Sequence, residues 1–568
     1  MAPGLLKTRP SATAGGLVPE GPRLLARGVA PAMGAAAGAV ASTARAGVRG
    51  ADTVVRVARV ARNALPGGSP HWRSGARAHL ALRPSEPERV PEKGGAEHPG
   101  HHLAAALAEH PDVAFAYWDG GLARLVVAAT EDALTDEVVE KAIALAARHG
   151  LAEFDTSVEE FEHPGDPSGI RAAAAVLAID GVGAGAALIA SLLRLPPSPR
   201  MVTAVVTLLR ENPRFRGLLR ARLGRSGMDM LLAAANAAAH GAGQSPTSLL
   251  LDGALRACQL AETLARTAAF DTVHDEVCAP DRISVAADHT PRPPLRTSPA
   301  QEYAAHASAG SVLGAAATLL VKHDGSEAAE AVLAGSPKAA RYGPAAFHAV
   351  LGGALARTGV LVRDMERLRE LEMADTVVLH PSALRTPGAG ADPWAETVLD
   401  AARRAGLRVV VVDDPALSDF TTLADHVVPG DRPLSEVVNA LRDGKGTVIT
   451  VARLLSADDS DVLSGLLGGD VALALADQDG AVVWGADVVA LHGLADVWRL
   501  LTAVRAARVT GHRSQTLARS GAALSGLLVA VGESGRGRRT LLPGVRHAPV
   551  DAAAAVALLS GARAALGV

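Results

Sequence analysis

Aromatic residues are scarce in this chain, at 3% of 568 positions, although 49% of the residues are hydrophobic. Its cores must therefore be built from alanine, valine and leucine. Cysteine is scarcer still: Cys258 and Cys278 are the only two, spaced unlike any zinc motif and too few for a disulfide framework. Charge of one sign is lacking as well, because 56 Lys and Arg stand against 59 Asp and Glu for a net −3. That balance gives no footprint for nucleic acid. The first residues hold Lys7 and Arg9 but no compact apolar core with a cleavage site, so no signal peptide is read there.

What is present has room for three or four domains. Residues 1–70 form a low-complexity segment rich in Ala, Gly, Pro and Arg. Within it, Ala51–Leu65 sets Val54, Val57 and Val60 near helical spacing with Arg56, Arg59 and Arg62 between them. This is a basic amphipathic pattern that suits either an anionic membrane or a solvated surface helix. Residues 71–160 read strand, helix, strand, strand, helix, strand: Arg77–Leu82, His102–Glu109, Val113–Tyr117, Ala123–Ala128, Asp136–His149 and a weak strand near Glu153–Thr156. That order is the split βαβ of ferredoxin-like folds. His98, His101 and His102 cluster nearby on a polar stretch and read as solvated.

Residues 165–350 read as helical and membrane-associated in part. Ala172 to Leu193 gives 22 mostly apolar residues between Arg171 and Arg194, enough to span a bilayer. Asp180 near the middle is costly there, so a buried helix fits equally. Met228–Ala239 and Ser248–Ala268 read as further helices, Pro280–Pro299 as a linker, and Ala309–Val321 as an apolar run short of a span. Residues 355–510 alternate continuous apolar runs with amphipathic helices: Thr376–Leu379, Leu407–Val412, Thr447–Val451, Val471–Leu475 and Asp487–Leu491. Such runs indicate a doubly wound parallel sheet. Residues 515–568 are a C-terminal helical segment.

The stretch Leu355–Thr386, LARTGVLVRDMERLRELEMADTVVLHPSALRT, carries Arg363, Asp364 and Glu366 and ends its strand at His380-Pro381. It resembles the junction between the fourth transmembrane helix and the phosphorylation domain of P-type cation-transporting ATPases, which runs into D-K-T-G-T-L-T. Here His380 stands where the family has its phosphorylated Asp. The 71–160 region is similar to the family's heavy-metal-associated modules, with Arg83-Pro84-Ser85-Glu86-Pro87 in place of their C-x-x-C loop. Ser336-Pro337-Lys338 falls where the resemblance implies the proline break of helix four. Lys338 replaces an acid there and would repel a cation; Pro337 as the first turn of a soluble helix is the other reading.

The 355–510 sheet resembles the haloacid-dehalogenase-like phosphorylation domain. Val412-Asp413-Asp414 falls at its T-G-D, and Ala457-Asp458-Asp459-Ser460-Asp461-Val462 at its G-D-G-x-N-D, followed by GGDVALAL. Asp458 matches the magnesium-binding Asp, Asp461 replaces the Asn, Val462 the last Asp, and Leu434 the lysine that meets the phosphoryl group. Pro549 to Ala555 is similar to the start of the second membrane bundle. Gly532-Glu533-Ser534 is like the actuator's T-G-E-S but follows the phosphorylation domain instead of preceding it.

Phosphoryl transfer through an aspartyl-phosphate needs a carboxylate nucleophile and a lysine with metal to neutralise the moving charge. About 25 residues separate His380 from Gly406, whereas the family inserts a whole nucleotide-binding domain there. Nucleophile, nucleotide lobe and dephosphorylating loop are lost together. The organisation resembles the degenerate N-terminal half of the large actinobacterial cation-transporting P-type ATPases. The resemblance therefore implies an α/β multidomain protein without ATPase activity, at the cell membrane or its cytoplasmic face. Its partner would be an intact P-type ATPase or another membrane protein, and not nucleic acid. A second reading is a cation-transporting ATPase or haloacid-dehalogenase-like phosphohydrolase using Asp458 and Asp461 to bind Mg2+. Otherwise no cofactor is expected.

Overall fold

The computed structural model describes residues 71–85, 98–154, 163–286, 291–386, 390–444, 446–477, 480–531 and 545–568. The basic stretch Ala51–Leu65 and Gly532-Glu533-Ser534 lie outside the described residues. The architecture is mixed α/β, with an antiparallel sheet, a helical bundle and a seven-stranded sheet.

The first unit opens with a hairpin of β1 (Trp72–Ser74) and β2 (Arg77–Pro84), turning at Gly75 with φ +61°. Helix α1 (Pro99–Ala108), β3 (Val113–Asp119), β4 (Arg124–Ala129), α2 (Thr135–Arg148) and β5 (Leu151–Glu153) follow. Strand β2 pairs with β4 on one side and with β1 and β5 on the other, and β4 pairs with β3, all antiparallel. Leu80, Leu103, Leu107, Leu125 and Leu151 are all buried in one cluster with Ala142, which fixes register because a one-residue slip would turn them outward. The last strand begins earlier than the sequence pattern suggests. Gly150, at φ +70°, ends α2 and reverses the chain directly into Leu151.

The bundle comprises α3 (Pro167–Leu192), α4 (Arg200–Glu211), α5 (Pro213–Ala242) and α6 (Pro246–Val277), then α7 (Pro299–Lys322), α8 (Gly325–Ala334) and α9 (Lys338–Arg357). Helix α7 is longer than its apolar run, Ala309–Val321. Its start is set by Ser298 and Gln301 in a capping box with Pro299 at the first turn. The Pro280–Pro299 stretch is more than a linker. It contributes β6 (Ser284–Val285), and Arg292 and Arg296 beyond it pair with Asp487 and Asp470.

Strand β7 (Leu361–Val362) and α10 (Met365–Leu368) lead to the second sheet. Its other elements are β8 (Thr376–Leu379), α11 (Pro381–Leu384), β9 (Arg385–Thr386), β10 (Gly390–Ala391), α12 (Ala395–Arg404), β11 (Arg408–Val412), β12 (His426–Val428), α13 (Leu434–Asp443), β13 (Val448–Arg453), α14 (Ser460–Gly468), β14 (Val471–Leu475), β15 (Val482–Val483) and β16 (Val488–Ala490). The strand order is β12-β11-β8-β13-β14-β16-β7, parallel except for β7, while β9–β10 and β6–β15 form separate pairs. The five apolar runs supply the middle of the sheet. The edge strands β12 and β7, three and two residues long, are too short to give a period.

Helix α15 (Leu494–Val531) runs unbroken for 38 residues, so the C-terminal helical segment read from residue 515 begins inside it, and α16 (Ala548–Leu566) packs against it. Helices α9 and α16 meet at Gly343 and Gly561: a Cβ on Gly561 would lie 2.2 Å from the Gly343 carbonyl oxygen. Only glycine permits that approach. Three helices, α3, α7 and α16, are long and apolar enough to cross a membrane. On α7, Leu313, Leu320 and Val321 are each more than 70% exposed, an apolar surface that water does not favour.

Candidate functional site

Strand β8 is central, hydrogen-bonded in parallel to β11 and β13, and Val377, Val378 and Leu379 are at most 1% exposed. In open α/β sheets, ligand sites form beyond the carboxyl ends of the strands where the strand order reverses. Here that point is the tip of β8, and His380 occupies it. The His380 backbone N–H donates to the Val451 carbonyl at 3.0 Å. Its Nδ1 accepts from the Ser382 backbone N–H at 3.2 Å and lies 2.8 Å from Ser382 Oγ. With Nδ1 accepting, the neutral ring carries its proton on Nε2. Burial lowers the His380 pKa below its ordinary value, against the opposing pull of Asp459, Asp461 and Asp414. The position thus holds a capping imidazole and no carboxylate.

Arg453, the last residue of β13, fills the crevice beside it. Its side chain is 1% exposed. Nε donates to Asp477 Oδ1 at 2.7 Å, Nη2 to Asp477 Oδ2, and Nη1 to the carbonyls of Ser382 and Arg385. Its backbone N–H donates to Ser382 Oγ at 3.0 Å. A fixed guanidinium so engaged ties the turn after β8 to the end of β14. The sequence pattern missed Arg453, since the apolar run Thr447–Val451 stops two residues short of it, and its pairing with Asp477 after the next strand leaves no local signal.

The carboxylates suggested by the sequence serve other ends. Asp461 accepts from the Leu434 backbone N–H at 3.0 Å and from Ser435 Oγ at 3.0 Å, capping the start of α13. Asp459 caps α14 through the Val462 N–H, and Asp458 is exposed. Asp458, Asp459 and Asp461 do not converge as a three-ligand group. Asp414 caps the turn at Ala416 and meets Arg385 Nη1 at 3.0 Å; these bonds lower its pKa. Leu434 is buried at the start of α13. His98 caps α1 through Gly100 and stacks on Trp118 at 4.4 Å, while His101 and His102 are exposed.

In the bundle, Lys338 follows the break at Ser336-Pro337 and starts α9. Its Nζ lies 2.8 Å from Asp551 Oδ1 on α16 and donates to Ser248 Oγ at 2.6 Å. Arg210 grips Asp252 with two bonds of 2.8 and 2.9 Å, and Arg341 meets Glu211 at 2.8 Å. Asn236 and Tyr342 also bond Asp252. Three bundle carboxylates are thus matched by cations of the chain itself.

With that geometry in view, the sequence resemblance to P-type cation-transporting ATPases rests on more than the β8 region. The chain is 30% identical to the proteins named "Probable cation-transporting ATPase I" of two Mycobacterium tuberculosis strains, across 86% of its own length, and 29% identical to that of Mycobacterium leprae. It spans 37–38% of the length of these curated relatives. No family model matches it. A solved zinc-transporting PIB-type ATPase aligns with a TM-score of 0.37 and 13% identity, over 48% of this chain and 64% of that one.

Proposed function

We propose that the chain is a catalytically silent relative of the cation-transporting P-type ATPases, held at the cell membrane, that acts as a partner or regulator of an intact cation pump. In this reading residues 71–160 are a ferredoxin-like, heavy-metal-associated-like module without its C-x-x-C loop. Residues 355–510 are a degenerate haloacid-dehalogenase-like domain. The observation that carries the reading is Arg453. A guanidinium is fixed by hydrogen bonds where phosphoryl transfer would need space for a phosphate and its metal, next to an imidazole where a carboxylate must attack. Among the described residues between β8 and β11 stand the β9–β10 pair and two helices, which form no lobe able to present a nucleotide.

The bundle supports the same conclusion. A lysine bonded to Asp551 competes with any mobile cation for that carboxylate. The exposed apolar face of α7 suits lipid or a partner helix. The reading calls for no catalytic cofactor, in keeping with an Asp461 carboxylate already taken up by the Leu434 N–H and Ser435 Oγ. The test is to incubate detergent-purified protein with γ-labelled ATP and Mg2+, beside an intact pump, and to look for acid-stable phosphoprotein. No label is expected on this chain. Label on any Asp or Glu, or phosphatase turnover abolished by Asp458→Ala, overturns the proposal. Carbonate washing should leave the chain in the membrane pellet; release into the wash removes the membrane part.

A further inference from the structure

Four side chains from separate stretches converge where the N-terminal module meets the end of α6. His79 lies on β2, His163 precedes α3, His274 sits on the last turn of α6, and Cys278 directly follows that helix. All four are buried, at 2%, 7%, 3% and 4% exposure. Trp72 stacks on His274 at 4.6 Å, and Phe270 closes the group edge-on. His79 Nε2 stands 2.7 Å from His274 Nε2, and His79 Nδ1 stands 3.0 Å from His163 Nε2. Ligand atoms of His79, His274 and Cys278 all lie within 4.8 Å of one another, the one such group of His, Cys, Asp or Glu among the described residues.

We propose that His79, His274 and Cys278 form a zinc site, with His163 behind His79, that fastens the N-terminal module to α6. Two imidazoles and a thiolate suit zinc, and no carboxylate is among the three ligands to favour magnesium or calcium. With Zn–N near 2.0–2.1 Å, two nitrogens of a tetrahedral site stand roughly 3.3 Å apart, so the rings need part by only about half an ångström. The site is distinct from the loop after β2, where the resembling modules carry their cysteines.

Proton positions fix what loading requires. Without metal, the Gly165 N–H donates to His163 Nδ1 at 3.0 Å, leaving the His163 proton on Nε2, toward His79 Nδ1. His79 then presents its proton from Nε2 to His274 Nε2, and His274 donates from Nδ1 to Asp275 at 3.1 Å. Burial holds all three rings in their neutral forms. On binding, zinc takes the lone pairs of His79 Nε2 and His274 Nε2 and a Cys278 thiolate, whose proton passes to solvent. The His79 proton moves to Nδ1 and is donated to His163 Nε2, as second-shell partners of ligating histidines require. The His163 proton moves to Nδ1 and displaces the Gly165 contact. Two neutral hydrogen bonds are given up, Gly165 to His163 and His79 to His274, together roughly a fifth of the binding free energy of a structural zinc site.

The experiment uses the full chain, purified without a histidine tag, incubated with zinc and then dialysed against a mild chelator. Elemental analysis should find about one zinc per chain, reduced at least about tenfold in Cys278→Ser and unchanged when His101 and His102 are both replaced by Ala. Cobalt-loaded protein should show a thiolate-to-metal band in the near ultraviolet, absent in Cys278→Ser. Wild-type protein that is folded by circular dichroism yet holds less than about a tenth of an equivalent overturns the proposal. So does zinc that survives Cys278→Ser but is lost with His101 and His102.

Discussion

Arg453 on β13 and Asp477 beyond β14 face each other across the carboxyl edge of the sheet, with Nε 2.7 Å from Oδ1. The guanidinium side chain is 1% exposed and the carboxylate 27%. Removing one partner of a buried pair leaves the other uncompensated, at a cost of about 3 kcal/mol. Asp477→Asn should lower the unfolding free energy by about that amount, because it leaves the buried guanidinium without its countercharge, and Arg453→Met by less, since water already reaches the Asp477 carboxylate it leaves behind. Denaturant titration followed by tryptophan fluorescence reads both. Unchanged stability in Asp477→Asn would mean the clamp is ornamental.

On the proposed reading of a catalytically silent domain, a carboxylate placed at the tip of β8 should not bring phosphoryl transfer with it. In His380→Asp the new acid would stand beside Arg453 without a nucleotide lobe above it, so no acid-stable phosphoprotein is expected from labelled ATP. The acid would take over the Ser382 cap, because Asp is a good N-cap, and the thermal midpoint should move by only a few degrees, as for a change of about 1 kcal/mol or less. Phosphorylation of His380→Asp would show that the site admits nucleotide and would count against the proposed absence of a nucleotide lobe.

The parallel strands were readable because each buried run is continuous and bounded by helices of a different period. Thr376–Leu379 and Val471–Leu475 match their observed limits residue for residue. The end of the central strand at His380 was equally readable, since it needs one position only. Residue types at 458–461 could suggest a magnesium site, but not that Asp461 would reach Leu434, 27 residues away, and act as a cap. Cysteine spacing argued against metal because it sees only near neighbours. His79 and His274 are 195 positions apart, and their meeting is a product of tertiary packing. Lys338 was read as a charge that would repel cations; its carboxylate, Asp551, lies 213 positions onward.

That Lys338–Asp551 pair should behave as a coupled unit. Lys338→Met leaves Asp551 with Thr247 and Ser248 as hydrogen-bond donors but no countercharge, and Asp551→Leu strands the ammonium. Each single change should cost about 3 kcal/mol, while the double variant should lose less than the sum by at least about 1.5 kcal/mol, because a buried pair replaced by apolar groups is close to neutral. A double-mutant cycle in detergent measures the coupling. Strict additivity would indicate that the two side chains do not depend on one another, and would remove the bundle's support for a built-in cation.

Glu372, in the short turn before β8, packs against Gly511 of α15, where an added Cβ would lie 2.0 Å from Oε1. Burial alone raises its carboxyl from 4.5 to about 7. Between those two values the folded chain keeps a proton that the unfolded chain has released. Stability contributed at this residue therefore falls as pH rises from 4.5 toward 7 and is level above it. At about pH 8 the buried charge costs the folded state about 3 kcal/mol. Glu372→Gln, which keeps the shape and carries no charge, should exceed the wild type in stability by about that much near pH 8 and match it near pH 4.5. Unfolding free energies of the two proteins across this range decide the point. A difference that stays constant with pH would mean that Glu372 does not titrate in the folded protein as its surroundings require.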